Sequence, residues 1–464
     1  MQNFVVLSSV QFIFRFLPLF LIVYYFAPKV WRNAVLFIGS ILFYAAGEPV
    51  FVFLLLFLTA LNYMVGESLY SQGRRSRRKK PEEAAAFRKR HLFFIVLIDL
   101  TVLVMFKAYA LLPQGVGLPL GLSFYLFKML SYQADIYLGK IRHRPTFFSA
   151  AAYFTMFPQL TQGPVMRYDD GFFRGGADRE YSLDRFEKGV FYVAVGFIMK
   201  TLLADRLAFL WTELVKIGFD SISTPLAWLG AFGYSFRLFY DFWGYSLMAA
   251  GVGMMLGFSF VENFSHPYAA VGISDFYRRW HMTLGQFFRD YVYIPLGGSR
   301  RGAWKTLRNL LIVWLLTGFW HGGTLNFILW GLVLGALIIS EKFVLGRLYK
   351  RLPVLGRLSV WFFIPLTWVI FAIPKLSELA LYFSRLFPFF GETGNVNPYD
   401  FTENLKTYGY LFVCALLFCV PRSFRLLTRK RKHPAVLFAL CVLFWIAVYY
   451  SVKERGNTFM YFDF

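Results

Sequence analysis

Residues 297–358 read GGSRRGAWKTLRNLLIVWLLTGFWHGGTLNFILWGLVLGALIISEKFVLGRLYKRLPVLGRL. Two basic blocks, 297–308 and 341–358, enclose an apolar run with a Trp320-His321-Gly322-Gly323 break near its middle. Lys and Arg beside apolar segments mark the cytoplasmic side of a membrane. Both blocks therefore belong on one side, and the chain between them crosses an even number of times or not at all. Only 32 residues separate them, whereas two full crossings need about 40 and a turn. The spacing predicts a helical hairpin that dips into the bilayer. A helix from Thr306 to Trp320 rises roughly 20 Å at about 1.5 Å per residue. His321 would then sit deep in the membrane, at a Gly-Gly turn. Non-helical backbone at that depth is tolerated only inside protein or beside a cavity.

The rest of the chain agrees with a membrane body. Of 464 residues, 58% are hydrophobic, 21% aromatic and 16% charged; soluble domains carry about 25% charged residues. Apolar stretches run nearly end to end, which excludes most soluble enzyme classes, disulfide scaffolds and disordered tails. The net charge of +23 invites a nucleic-acid reading, but its location argues against one. Four stretches, 70–91, 297–308, 341–358 and 422–432, hold 21 of the 23 net charges, each beside apolar sequence. They read as cytoplasmic loops, and nucleic acid drops from the expected partners. Cys414, Cys419 and Cys441 form no C-x-x-C pair and read as apolar packing residues rather than a disulfide framework or metal site.

The expected fold is all-α: a polytopic membrane helix bundle of about 10–12 hydrophobic helices, some re-entrant, with amphipathic interfacial helices. The chain reads as one integral-membrane body. Residues 1–69 hold N-terminal membrane helices, 70–91 a basic cytoplasmic loop that touches anionic lipid, 92–342 the core and 343–464 C-terminal helices. Phe4 to Ala27 reads as an uncleaved membrane segment. The apolar run 34–66 should break at Gly47-Glu48-Pro49. Residues 165–188 and 391–405 read as polar loops.

An ionisable residue inside a membrane is costly and is a functional candidate by default. His321 is the first: imidazole takes and returns protons near neutrality, though a buried His satisfied by one carbonyl is equally open. The second is Phe276 to Leu296. Phe276, Trp280, Leu284, Phe287 and Tyr291 fall on one helical face, with Arg278, His281, Gly285 and Arg289 on another. This describes an interfacial amphipathic helix, either a plain anchor or an element that brings His281 toward His321. The third is Tyr240-Asp241-Phe242-Trp243-Gly244, where the carboxylate needs an Arg or His partner or belongs to a buried ion pair. The fourth is the turn Phe157 to Arg167, whose Gln162 suits a polar ligand or simply a turn. No G-x-S-x-G, P-loop or H-E-x-x-H occurs, so those nucleophile, phosphate and metal signatures are missing.

Several of these motifs, in this order, resemble the membrane-bound O-acyltransferase family. The run Arg278-Arg279-Trp280-His281-Met282-Thr283-Leu284 with Phe288-Arg289-Asp290-Tyr291 is similar to that family's signature. Tyr240 to Ser246, Glu262-Asn263-Phe264, Phe319-Trp320-His321-Gly322, Gly121 to Phe124 and Gln162-Gly163-Pro164 also match. The resemblance covers roughly residues 118–342. Tyr293 to Gly298 and the tail Tyr461-Phe462-Asp463-Phe464 look like the alginate O-acetyltransferase branch. After His321, the run Gly322-Gly323-Thr324-Leu325-Asn326 departs from it and leaves the acceptor and polymer open.

The resemblance implies transfer of an acyl group, acetyl first, from a cytoplasmic thioester to a hydroxyl of an exported polysaccharide or of a partner protein. The donor would be acetyl-CoA or an acyl carrier protein thioester, with no tightly bound cofactor and no metal. His321 would be the general base, with His281 also catalytic. Trp320, Asp241, Tyr240, Arg278, Arg279, Asp290, Asn263 and Gln162 would bind the donor or support the site. Membrane lipid, an exported acyltransferase partner and a polysaccharide acceptor are the implied partners, in the bacterial inner membrane. The alternatives are D-alanyl transfer to teichoic acid, a transporter or flippase of an acyl donor, and a scaffold whose partner does the chemistry.

Overall fold

The computed structural model describes residues 6–75, 81–110, 117–170, 179, 181–390 and 396–454. The tail 461–464, and parts of the expected loops at 70–91, 165–188 and 391–405, lie outside the described residues. Among the described residues the regular structure is helical, with no strand. In chain order the α-helices are α1 (Leu17–Phe26), α2 (Arg32–Gly47), α3 (Val52–Arg75), α4 (Pro81–Ala110), α5 (Leu122–Tyr137), α6 (Phe147–Thr155), α7 (Leu183–Ile198), α8 (Asp205–Ile217) and α9 (Thr224–Met255). They continue with α10 (Ile273–Arg279), α11 (Met282–Phe288), α12 (Ala303–His321), α13 (Leu325–Ser340), α14 (Gly346–Arg351), α15 (Pro353–Ala372), α16 (Leu376–Leu386), α17 (Asp400–Cys419), α18 (Pro421–Arg429) and α19 (Pro434–Lys453).

Among the described residues, six helices are long and apolar enough to cross a membrane: Lys29–Gly47, Val52–Gly73, Glu82–Tyr109, Leu325–Arg351, Pro353–Ala372 and Pro434–Lys453. The pair α17 and α18, bent by 78°, makes a seventh if counted as one span. The N-terminal apolar run forms a shorter helix than its sequence suggests, Phe12–Phe26. The break at Gly47-Glu48-Pro49 is observed between α2 and α3.

The chain divides into two compact units. The first comprises residues 1–193 and 245–262. Its core holds a polar network with no place in a soluble amphipathic pattern. Asn62 of α3 donates from Nδ2 to Asp99 Oδ1 of α4 at 3.0 Å, and Gln133 Nε2 of α5 donates to the Asn62 carbonyl at 2.7 Å. Where lipid replaces water, the apolar effect does not hold helices together, and such bonds tie three helices into one bundle.

The second unit comprises residues 194–244 and 263–464. Its centre is the α12–α13 hairpin, which follows the sequence reading: the first arm ends at His321 and the turn falls on Gly322-Gly323. The arms touch backbone to backbone. A Cβ on Gly318 would lie 2.4 Å from the Phe327 carbonyl oxygen, and one on Gly331 would lie 2.5 Å from that of Trp314. Only glycine permits that approach. Asn326, fully buried, donates from Nδ2 to the carbonyls of Phe371 at 3.0 Å and Ile370 at 3.3 Å. The hairpin is thereby tied to the C-terminal end of α15, whose last carbonyls have no partner within their own helix.

Three expectations are corrected. The basic block 341–358 is no loop: a π-turn at Glu341–Leu345 carries α13 into α14, and α15 follows after one residue. The second arm of the hairpin is therefore long enough to cross the bilayer, because Lys and Arg sit at a helix end rather than in a connector. The block 70–91 is likewise mostly the ends of α3 and α4, and 422–432 is largely α18. The element at 276–296 is two helices rather than one. Trp280 is extended and His281 is left-handed at φ 44°, which ends α10 and starts α11 in a new direction.

Candidate active site

The break at Trp280-His281 is where the site begins. A left-handed non-glycine residue costs about 1 kcal/mol or more and needs a compensating contact. Asn263 provides it. Its Oδ1 accepts from Thr283 Oγ1 at 2.9 Å and from the Thr283 backbone N–H at 3.4 Å, and it lies 3.0 Å from His281 Nδ1. The Asn263 carbonyl also accepts from the Met282 backbone N–H at 2.9 Å. A backbone N–H can only donate, so the Asn263 atom is oxygen and His281 Nδ1 must carry the proton. The Nε2 of His281 is then the ring's basic nitrogen. The ring is 4% exposed. Burial pushes its protonation down from the ordinary value to about 3, so the imidazole is neutral at working pH.

Most of the predicted apolar face is buried: Phe276, Trp280, Leu284 and Phe287 are in the core, and Tyr291 is half-buried. His281, expected on the polar face with Arg278, is instead turned inward, because the helix breaks at that residue. Arg278 stays on the exposed face, with a side chain 73% accessible, 3.7 Å from Asp275.

His281 and His321 line the same cavity, of about 480 Å³. Its lining residues come from α9 to α13, the turn after α11, and α15, and all of them lie in the second unit. Phe242, Tyr277, Trp280, Trp314, Trp330, Trp368 and Phe371 are in its lining, with Ser274, Arg278, Gln286 and Arg289 among the polar residues. His321 is half-buried and caged by rings: Trp320 at 4.5 Å, Trp330 at 5.0 Å and Phe371 at 5.1 Å between centroids. Trp330 packs on Trp368 at 5.7 Å, and Trp368 on Trp280 at 5.0 Å. An aromatic wall thus runs from the hairpin turn to the residue before His281.

The other predicted site residues fall into two groups. Arg278 lines the cavity, and Asn263 acts through His281. Arg279 pairs with Asp275 at 3.0 Å, and Asp290 pairs with the cavity residue Arg289 at 2.7 Å. Trp320 packs on His321 from outside the lining. Tyr240 and Asp241 are also outside it, although Leu238 and Phe242 of the same helix are in it. Tyr240 donates to the Ala415 carbonyl of α17. Asp241 finds a Lys rather than the Arg or His expected: its Oδ1 lies 4.0 Å from Lys200 Nζ, which also bonds Asp205 at 2.6 Å. Gln162 belongs to the first unit and is not a lining residue. Among the described residues no group of three His, Cys, Asp or Glu is placed to hold a metal ion.

A multi-pass helical membrane protein with a two-histidine cavity is the class this geometry defines. The chain belongs to the membrane-bound O-acyltransferase family, whose profile matches residues 36–376, and it is therefore a membrane O-acyltransferase. It is 37% identical over 83% of its length to the probable alginate O-acetylase of Pseudomonas fluorescens, spanning 76% of that protein. It is 28% identical over 98% of its length to the peptidoglycan O-acetyltransferase of Helicobacter pylori, spanning 96% of it. To the teichoic acid D-alanyltransferase of Bacillus subtilis it is 28% identical over 50% of its length, spanning 62% of that protein.

Proposed function

We propose that the protein acetylates a hydroxyl of an exported polysaccharide, directly or through an exported partner protein, from a cytoplasmic thioester, in the bacterial inner membrane. The observation that carries this reading is that His281 and His321 line one aromatic cavity whose lining also includes Arg278 and Arg289. The donor is acetyl-CoA or an acyl carrier protein thioester. Both carry phosphate, which the two guanidinium groups suit.

A thioester carbonyl is already electrophilic, so the enzyme needs no nucleophile of its own. It needs a base for the hydroxyl and donors for the oxyanion. In this reading His321 removes the hydroxyl proton as the C–O bond forms. The C–S bond then breaks, and the proton passes to the leaving thiolate. His281, neutral and held by Asn263, supports the reacting groups from the same cavity. The relation to two O-acetylating relatives favours acetyl as the group transferred. D-alanyl transfer is the second reading, favoured by the likeness to the D-alanyltransferase over half the chain.

The test is transfer of labelled acetyl from its thioester to a co-expressed polymer or partner. Wild type should transfer it, and His321→Ala should insert normally and transfer none. Full activity in His321→Ala would remove the base assignment. Label that crosses the bilayer without becoming covalent would replace the enzyme reading with transport.

A further inference from the structure

The helix α18 is outside the cavity and unused by the chemistry. It is a nine-residue helix, Pro421–Arg429, set at 78° to α17. Its exposed residues are Arg422, Arg425, Leu426 and Arg429, continued by Lys430 just past its end. These positions are spaced three and four apart and form one stripe. No acidic residue lies between Pro421 and His433. The opposite side is seated in the protein: the Phe424 ring is 4.7 Å from Trp243 and 5.8 Å from His266.

The depth of this stripe follows from its neighbour. The span α19 starts at Pro434, four residues after Lys430, and only 6% of its apolar window is buried by protein. Phe438 is 73% exposed and Trp445 57%, so acyl chains must cover them. The cationic stripe therefore lies about one helical turn from the hydrocarbon boundary, at headgroup level. The chain bends by 78° between α17 and α18, so α18 does not continue the direction of α17. Leu426, 53% exposed within the stripe, is placed to enter the lipid as interfacial helices do.

We infer that α18 is a binding surface for anionic phospholipid headgroups, recognised by Arg422, Arg425, Arg429 and Lys430. Arginine forks pair with phosphate oxygens, and each cation near an anionic surface adds attraction that salt screens. The inference needs only the membrane placement of the chain. It is read without turnover, so its failure and that of the acetyl-transfer reading are separable.

The test uses the full chain in phosphatidylcholine vesicles. These contain a trace of phosphatidylglycerol or phosphatidylcholine with a photoreactive headgroup, and adducts are mapped by mass spectrometry. The peptide 421–433 should be labelled by the phosphatidylglycerol probe at least about fivefold over the phosphatidylcholine probe, the effect of about one cation. Salt of about 0.5 M should erase most of the preference. R422Q/R425Q/R429Q/K430Q should bring the ratio to about one, and R422K/R425K/R429K should keep it above one. If the neutral variant fails to insert, the wild-type ratio and its salt dependence still decide. A wild-type ratio near one overturns the proposal. So does equal labelling combined with retention of an acidic acyl carrier protein by wild type alone, which would make α18 a protein dock.

Discussion

Asn263 Oδ1 lies 3.0 Å from His281 Nδ1 and also accepts both donors of Thr283. One side-chain oxygen thus sets the tautomer of a cavity histidine and the sharp turn that delivers it. Asn263→Ala strands these buried donors, each at about 1–3 kcal/mol. We expect lower thermal stability and a fall in kcat larger than the change in donor KM. Asn263→Asp keeps the acceptor and should recover much of both. If Asn263→Ala and Asn263→Asp behave alike, the bond to His281 is not what positions the ring.

Burial of His281 has a consequence for acid stability. The unfolded chain protonates this ring near the ordinary imidazole value of 6.5, the folded chain only near 3. Between those values the unfolded state holds more protons, so stability falls as pH falls, by about 1.4 kcal/mol per pH unit from this group. Above the upper value the ring is neutral in both states and contributes nothing. Melting temperatures of the purified protein from about pH 7.5 to about pH 4.5 should drop less steeply in His281→Gln than in wild type. Parallel curves would mean that water or a counter-charge reaches the ring.

The hairpin was legible because its signals are local. Two basic blocks, a short apolar run and a Gly-Gly pair are all read from one stretch, and α12 and the turn fall where that stretch places them. The orientation of His281 was not legible. It depends on Asn263, eighteen residues upstream, and on a left-handed backbone at a residue that is not glycine. The rings of Trp330 and Phe371 beside His321, with Trp368 behind Trp330, were hidden for another reason. In a chain with 57 Phe and 12 Trp, one more ring on an apolar helix carries no distinguishing signal. Lys200 as the neighbour of Asp241 comes from a different helix, which no periodicity reveals.

Gly318 is one turn before His321, and its missing Cβ is what lets α13 pack on α12. Gly318→Ala drives a methyl group to 2.4 Å from the Phe327 carbonyl oxygen, so the arms must separate. Overpacking of this kind costs about 1–3 kcal/mol. Because the displaced arm carries His321, transfer should fall further than the loss of folded protein explains. Gly409→Ala on α17, where the nearest atom would be 3.5 Å away, should be neutral or slightly stabilising in the same melting assay. Normal transfer in Gly318→Ala would show that the site tolerates a looser hairpin.

The buried ion cluster of Lys200, Asp205 and Asp241 makes a different kind of prediction, about coupling. Lys200 Nζ is 2.6 Å from Asp205 and 4.0 Å from Asp241, with all three side chains largely hidden from solvent. Removing the cation leaves two carboxylates uncompensated, and breaking a buried pair in this way costs about 3–5 kcal/mol. Lys200→Met should therefore be severe, whereas Asp205→Asn leaves Lys200 facing Asp241 and should cost less. The double variant Lys200→Met/Asp205→Asn should be milder than the two single effects added, with a coupling above about 1 kcal/mol. Asp241→Asn, at the longer distance, should cost less than Asp205→Asn. Phe242, the residue after Asp241, packs on His281 with ring centroids 4.7 Å apart. Variants that release α9 should therefore also lower transfer, whereas the double variant should restore part of it. Strict additivity in stability would show that the three charges act independently.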